Sequence, residues 1–118
     1  GLRAWSTAEW PTCPDAVPES FDAMLLAHVL EHLDQPDADA VVTSYLPYLK
    51  PSARLVFICP QEKGWTTDAT HVRFVDIPAM VATAERLGFA AEKAYSFPLP
   101  RAAGKLFTYN EFVVVARR

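Results

Sequence analysis

Glycine is scarce in this chain: Gly1, Gly64, Gly88 and Gly104 are the only ones, and no two are near each other. A turn that cradles a nucleotide-like cofactor needs several glycines within a few residues, so no such loop is written in these residues. Long apolar runs are also missing, and nothing approaches the roughly 20 residues that cross a bilayer. The opening Gly1-Leu2-Arg3-Ala4-Trp5 lacks the apolar core of a signal peptide. Cysteine is limited to Cys13, in a proline-rich stretch, and Cys59, in an apolar run. Two such residues make no disulfide framework, and a reducing, cytoplasmic compartment is expected. Lysine and arginine are scattered singly, with only Arg117 and Arg118 adjacent, and the net charge is −3. That pattern offers no stripe to track phosphates and argues against a nucleic-acid partner. No internal repeat or low-complexity tract is present.

What is there describes one folded unit, residues 1–118. The hydrophobic content of 51% with 21% charge is that of an ordinary globular domain, which buries roughly two-thirds of its unfolded surface. Residues 1–20 form an irregular lead-in broken by Pro11, Pro14 and Pro18, and Leu2–Trp5 resembles the tail of a strand. Phe21–Ala27 is apolar apart from Asp22, which suits a strand covered on both faces. From Asp37, a candidate N-cap, apolar residues at Val41, Val42, Tyr45, Leu46 and Leu49 fall at helical spacing, with Pro47 tightening the last turn.

Ala53–Cys59 reads as a second buried strand closed by Pro60, and Gln61–Val75 as a loop. Asp76 caps a second helix with Pro78 in its first turn, and Gly88 is its left-handed stop. Ala90–Phe97 and Glu111–Arg117 read as two further strands. The order is strand, helix, strand, helix, strand, strand. Two right-handed crossovers then make the early strands parallel and the last one an antiparallel edge. This is an α/β fold of about four strands with two main helices.

The densest chemistry follows the first strand. His28, Glu31 and His32 stand at i, i+3 and i+4, sharing one face if a helical turn follows the strand. A strand that delivers such groups to the carboxyl edge of an open sheet is where α/β folds place their chemistry. The spacing is also that of inverted zincins, in which both histidines hold zinc and the glutamate activates water. That reading needs a long helix, and Asp34, Pro36 and Asp37 argue against one. Against these stand blander roles: His32 as a packed helix-start residue, and Arg73 as the ion-pair partner of Asp76. Trp65, Phe107 and Tyr109 could wall an apolar pocket or simply pack.

Taken in order, Phe21-Asp22-Ala23, His28-Val29-Leu30-Glu31-His32-Leu33, Leu49-Lys50-Pro51 with Arg54-Leu55-Val56-Phe57, His71-Val72-Arg73-Phe74, Arg86-Leu87-Gly88-Phe89 and Asn110-Glu111-Phe112-Val113-Val114 resemble the second half of class I S-adenosylmethionine-dependent methyltransferases of the type 11 kind. The resemblance covers roughly residues 6–118. It implies a partial Rossmann-like methyltransferase sheet holding that family's fourth to seventh strands, and S-adenosylmethionine as cofactor. The family's glycine-rich loop and ribose-binding acid have no counterpart, so the chain is expected to be the carboxyl-terminal portion of a longer enzyme, inactive by itself. Ser52-Ala53 also replaces the family's usual pair of glycines.

By the same resemblance, Thr7-Ala8-Glu9 stands where the family's adenine-contacting Asp-Ala-Glu usually lies, with Thr7 in place of the aspartate. Thr7, Ala8, Glu9, Ala27 and His28 are then the cofactor-binding residues, and His28 is the base that takes a proton from the methyl acceptor. The acceptor, expected to be a small molecule, would lie among Glu31, His32, Pro60, Gln61, His71, Arg73 and Tyr109. No resident metal is assigned. Some members of the resembled family hold a divalent ion with a Glu-x-x-Glu-His cluster and a later histidine. His28-x-x-Glu31-His32 and His71 match that pattern with a histidine in first place, which would favour a borderline ion over magnesium. Two further readings stay open beside the enzyme: a zinc hydrolase through His28-x-x-Glu31-His32, and an interaction module. In the second, the strand 21–27, unpaired on one edge, joins two copies as a homodimer.

Overall fold

The computed structural model describes all residues, Gly1–Arg118. Four strands, β1 (Phe21–Ala27), β2 (Leu49–Pro60), β3 (Ala90–Phe97) and β4 (Glu111–Arg117), make one sheet in the order β1-β2-β4-β3. β1 and β2 are parallel, Leu26 opposite Phe57 and Ala27 opposite Ile58. β4 runs antiparallel to both its neighbours. The α/β class stands, with one difference in detail: the antiparallel strand is not at the edge. It is inserted between β2 and β3, which leaves β1 and β3 as the edges. Val113, Val114 and Val115 explain the position, since a strand this uniformly β-branched fits a place paired on both sides.

The helices begin where side chains satisfy their free N–H groups. The Asp34 carboxylate accepts from the Asp37 N–H at 2.9 Å and starts α1 (Gln35–Tyr45). The cap is therefore Asp34 and not Asp37, and Pro36 lies in the first turn, where its missing donor costs nothing. Leu46–Tyr48 tightens into a 3-10 turn around Pro47, as expected. A short helix, α2 (Glu62–Trp65), occupies the start of what reads as a loop. Asp76 accepts from the Ala79 N–H at 3.0 Å to cap α3 (Ile77–Arg86), and Gly88 follows at φ +88°. Leu2–Trp5 is irregular and joins no strand.

Side chains alternate across each strand. Leu26, Leu55, Phe57, Cys59, Phe112, Val114 and Ala116 point to one face and form a single core with Ala38 and Val42 of α1 and Met80 and Ala84 of α3. Each such large side chain, fully buried, contributes roughly 1.5–3 kcal/mol of transfer free energy. The opposite face carries Leu25, Val56, Val115, Ala27, Ile58, Val113 and Tyr95, paired across the strands. Leu25 there is 61% exposed. β1 is thus covered on one face only, and the expected cover on both is not supplied by these residues. At the amino end of β1, Trp10 packs against Phe21, Tyr45 and Tyr48 beside an apolar cavity of about 240 Å³.

Candidate functional site

The site sits at the opposite end of β1. The last ladder bond is the His28 N–H to the Ile58 carbonyl at 2.9 Å. His28 then takes φ +58°, a left-handed conformation uncommon outside glycine, and turns the chain out of the sheet. A 3-10 turn, Leu30–His32, follows directly. Leu30 plugs the core and draws its neighbour Glu31 inward, so that both are fully buried. The Val72 and Arg73 N–H groups donate to the Glu31 carbonyl at 2.8 and 3.4 Å, and this latches the 66–75 segment over the turn. The Trp65 indole N–H donates to the Arg73 carbonyl at 2.8 Å from the other side.

These bonds gather the ionisable groups. His28 lies between two carboxylates, its Nε2 3.2 Å from Glu111 Oε2 and its Nδ1 3.5 Å from Glu31 Oε1. His32 and His71 turn their Nε2 atoms toward Glu31 Oε1, at 4.0 and 3.9 Å. Asp68 Oδ2 faces the same two nitrogens at 4.0 and 3.8 Å. The Thr70 hydroxyl and N–H both donate to Asp68, which holds its carboxyl below the ordinary range. Burial pushes the Cys59 thiol well above its usual range, and the neighbouring Glu31 carboxylate adds to the effect. Cys59 is therefore an inert thiol of the core.

A polar cavity of about 360 Å³ opens over this cluster, lined by His28, His32, Pro60, Gly64, Thr67, Asp68, His71, Thr108, Tyr109 and Glu111. Of the residues expected near an acceptor, His32, Pro60, His71 and Tyr109 line it. Glu31 lies beneath it, fully buried. Gln61 is a tie instead: its amide donates to Ser96 Oγ and the Glu111 carbonyl, and its Oε1 accepts from Asn110. Gly104 packs so closely on it that a Cβ would lie 1.9 Å from Gln61 Oε1. Arg73 donates from Nε to the Leu33 carbonyl and from a terminal nitrogen to Gln35 Oε1, so it straps the turn to α1. Its bonds go there and not to Asp76, which caps α3.

Ala27 is exposed at the rim beside His28. Thr7, Ala8 and Glu9 are not brought to it. Thr7 lines a groove with Ala40, Val41, Ser44 and Tyr45, and Trp10 packs against Phe21, at the far end of β1. Seven strand residues put that end about 20 Å from His28. The Glu9 carboxylate accepts from the Ser6 N–H and hydroxyl, a capping box that lowers its titration below the ordinary range. Trp65 stacks on His71 and Phe107 meets Tyr109 edge-on, and neither Trp65 nor Phe107 lines the cavity.

The inverted-zincin geometry is not formed. His28 ends a strand in the left-handed region and His32 closes a 3-10 turn, so the two share no helix face. The zinc-hydrolase reading is corrected on that ground. Sequence spacing missed Asp68, Thr108 and Glu111. Only Asp68 carried a local signal, its i,i+3 relation to His71.

No family model matches the sequence, and no curated protein matches it. Solved structures do. A methyltransferase dependent on S-adenosylmethionine from Archaeoglobus fulgidus superposes with a TM-score of 0.69 at 16% identity, over 99% of this chain and 66% of that one. The 1,6-didemethyltoxoflavin-N1-methyltransferase of Burkholderia thailandensis, solved with 1,6-didemethyltoxoflavin and S-adenosylhomocysteine, gives 0.64 at 17%, over 90% and 48%. Magnesium protoporphyrin IX methyltransferase of Synechocystis, solved with S-adenosylmethionine, gives 0.57 at 15%, over 88% and 42%. The chain thus spans 66% of the first of these and under half of the other two. The four-stranded sheet and its helices carry the fold of S-adenosylmethionine-dependent methyltransferases.

Proposed function

We propose that this chain is the carboxyl-terminal portion of a cytoplasmic methyltransferase that transfers the methyl group of S-adenosylmethionine to a small-molecule acceptor. The observation that carries the reading is the position of His28. A methyltransferase-type sheet presents an imidazole in a left-handed turn at the carboxyl rim of β1, on the wall of a polar cavity. Methyl transfer asks little acid–base work of a protein, because the sulfonium is already activated. Holding the nucleophile in line with it is the main contribution.

In this reading the cavity wall of His32, His71 and Tyr109 holds the acceptor. His28 donates its Nε2–H to Glu111 at 3.2 Å, which leaves the Nδ1 lone pair to take the proton that the acceptor's hydroxyl or amine gives up. Ala27 lies at the rim next to the sulfonium, and the cofactor's remaining contacts come from chain beyond these residues. Thr7, Ala8 and Glu9 could join them only if the lead-in moved from the amino end of β1.

The test is to read the coding sequence upstream of Gly1 and produce the longer chain. A strand followed by a glycine-rich turn is expected there. The longer chain should bind S-adenosylhomocysteine in calorimetry, whereas residues 1–118 alone should bind it weakly or not at all. Micromolar binding by residues 1–118, or no binding by the longer chain, overturns the proposal.

A second reading rests on the open face and edge of β1, where Leu25 is 61% exposed. An apolar strand unpaired on one side can join a second copy. A non-catalytic dimerisation module of methyltransferase origin would sediment with a concentration-dependent mass. A monomer at all concentrations rejects it.

A further inference from the structure

We propose that the cavity at the rim of β1 selects its guest by charge, taking an organic amine as its ammonium ion and rejecting carboxylates and phosphates. Calling that amine the methyl acceptor rests on the methyltransferase reading, whereas the charge selection does not. Two carboxylates, Asp68 and Glu111, stand in the cavity wall, and no lysine or arginine does. The arginines of the adjoining segments are committed elsewhere, Arg73 to the Leu33 carbonyl and Gln35, Arg101 to Glu62 and the face of the Phe112 ring. A third carboxylate, Glu31, lies beneath the floor, fully buried and with no hydrogen-bond partner on either oxygen. A buried carboxylate without donors is costly, and positive charge brought above it offsets that cost.

The polar groups around the floor are short of donors. His71 Nδ1 is 2.6 Å from the Trp65 carbonyl, which can only accept, so Nδ1 carries the proton. The Thr70 hydroxyl gives its proton to Asp68 at 2.7 Å, so it and the Thr70 carbonyl both accept from His32 Nδ1, at 3.1 and 3.3 Å. Each ring is left with an Nε2 lone pair directed between Glu31 and Asp68. At 3.8 to 4.0 Å these nitrogens and oxygens are too far apart to bond one another. A tetrahedral ammonium donating at about 2.9 Å spreads its acceptors about 4–5 Å apart, so the spacing suits N–H donors entering from the cavity.

Tyr109 supplies the other half of the recognition. It lines the same cavity, is 73% exposed, and is backed edge-on by Phe107 at 5.9 Å. An open ring face attracts a cation within about 6 Å and stacks on a flat guest. The guest that fits is therefore a flat ring carrying an amine. An acid would meet the wall carboxylates with like charge. The field beneath the floor has the same sign, since burial raises the Cys59 thiol above its usual range and Glu31 and Glu111 add to it, with Arg73 offsetting part. His28 gives its Nε2–H to Glu111, so its Nδ1 can take one ammonium proton, become imidazolium, and leave the amine nitrogen with a free lone pair.

The test is ligand-observed NMR on the full-length chain, without cofactor, using probes matched in size: benzylamine, benzyl alcohol and benzoate. Benzylamine should bind at least about 10-fold more tightly than benzoate, with the alcohol between them. Raising the salt from about 0.05 M to about 0.5 M should weaken benzylamine several-fold and leave the alcohol unchanged. Asp68→Asn keeps the shape of an exposed side chain and should weaken benzylamine about 5-fold at constant affinity for the alcohol. Asp68→Lys should bring benzoate level with benzylamine or above it, and Tyr109→Ala should weaken all the probes. Circular dichroism of each variant separates lost binding from lost fold. Benzoate binding as tightly as benzylamine in the wild type, or no saturable binding of benzylamine, overturns the proposal. So does benzylamine affinity unchanged in both Asp68 variants, or lost on addition of a chelator. Binding of S-adenosylhomocysteine by the same chain is measured separately. Its absence, with the order of the probes kept, rejects the methyltransferase reading and leaves the charge selection standing, and the converse result rejects the charge selection alone.

Discussion

Neighbouring leucines on β1 give a sharp test of which face of the sheet is core. Leu26 is 3% exposed and shares the core with Leu30, Phe57 and the helices, while Leu25 is 61% exposed on the other face. Leu26→Ala removes a buried side chain among neighbours fixed by the sheet, and should cost roughly 2–5 kcal/mol. Leu25→Ala loses only the buried two-fifths of a leucine, which at roughly 1.5–3 kcal/mol for full burial is about 1 kcal/mol or less. The gap should be at least about 1 kcal/mol and shift the unfolding midpoint by several degrees in a domain of this size. Urea unfolding of residues 1–118, run at several protein concentrations to expose association, measures both values. Equal losses at low concentration refute the assignment of faces. In a longer chain that covers the open face, the cost at Leu25 should climb toward that at Leu26.

Thiol labelling gives a second check: Cys13 should react with an aromatic disulfide reagent in the native protein, whereas Cys59, buried and with its thiolate disfavoured, should react only on unfolding. Gly104→Ala places a Cβ against Gln61, which is held in place by several hydrogen bonds, and should destabilise by roughly 1–3 kcal/mol in thermal unfolding. A neutral result there would mean that the Gln61 tie yields easily. His28→Gly removes the imidazole but relieves the left-handed conformation, so stability should hold or rise by about 1 kcal/mol. In the longer chain the same change should cut turnover by roughly 10²–10⁴-fold, and undiminished methyl transfer would remove His28 from the role of base.

Much of this architecture is written locally. β1 and β4 begin and end where the apolar runs do, β3 has the bounds expected of it, and α3 is announced by Asp76, Pro78 and Gly88. The errors have physical causes. Asp34 and not Asp37 caps α1 because proline is tolerated in a first turn, so Pro36 does not delay the helix. β2 starts earlier than its apolar centre because Leu49 pairs with Phe21 before an irregularity in the ladder. The site was half legible. The spacing of His28, Glu31 and His32 marked the place but suggested one shared helical face. The left-handed turn at His28 instead sends that ring to Glu111, 83 residues away. No local pattern reports such a meeting, nor the burial of Glu31, which follows from Leu30 plugging the core beside it. The Thr7-Ala8-Glu9 match was three residues long, too short to fix a position that packing of Trp10 decides.

The reversed direction of β4 bears on how such a pocket can change over time. Because this strand enters the sheet at the rim and leaves at the far side, its first residue, Glu111, stands at the mouth, opposite Pro60 of β2 and Phe97 of β3. The stretch 98–110 that hands the chain from β3 to β4 therefore contributes Thr108 and Tyr109 to the wall, while its Gly104 and Asn110 are buried against Gln61. Residues exchanged around the exposed Tyr109, away from the buried Gly104 and Asn110, reshape the opening while every ladder pairing stays in register. Selectivity for a new guest can thus be revised at the exposed end of that connection, next to β4, at little risk to folding.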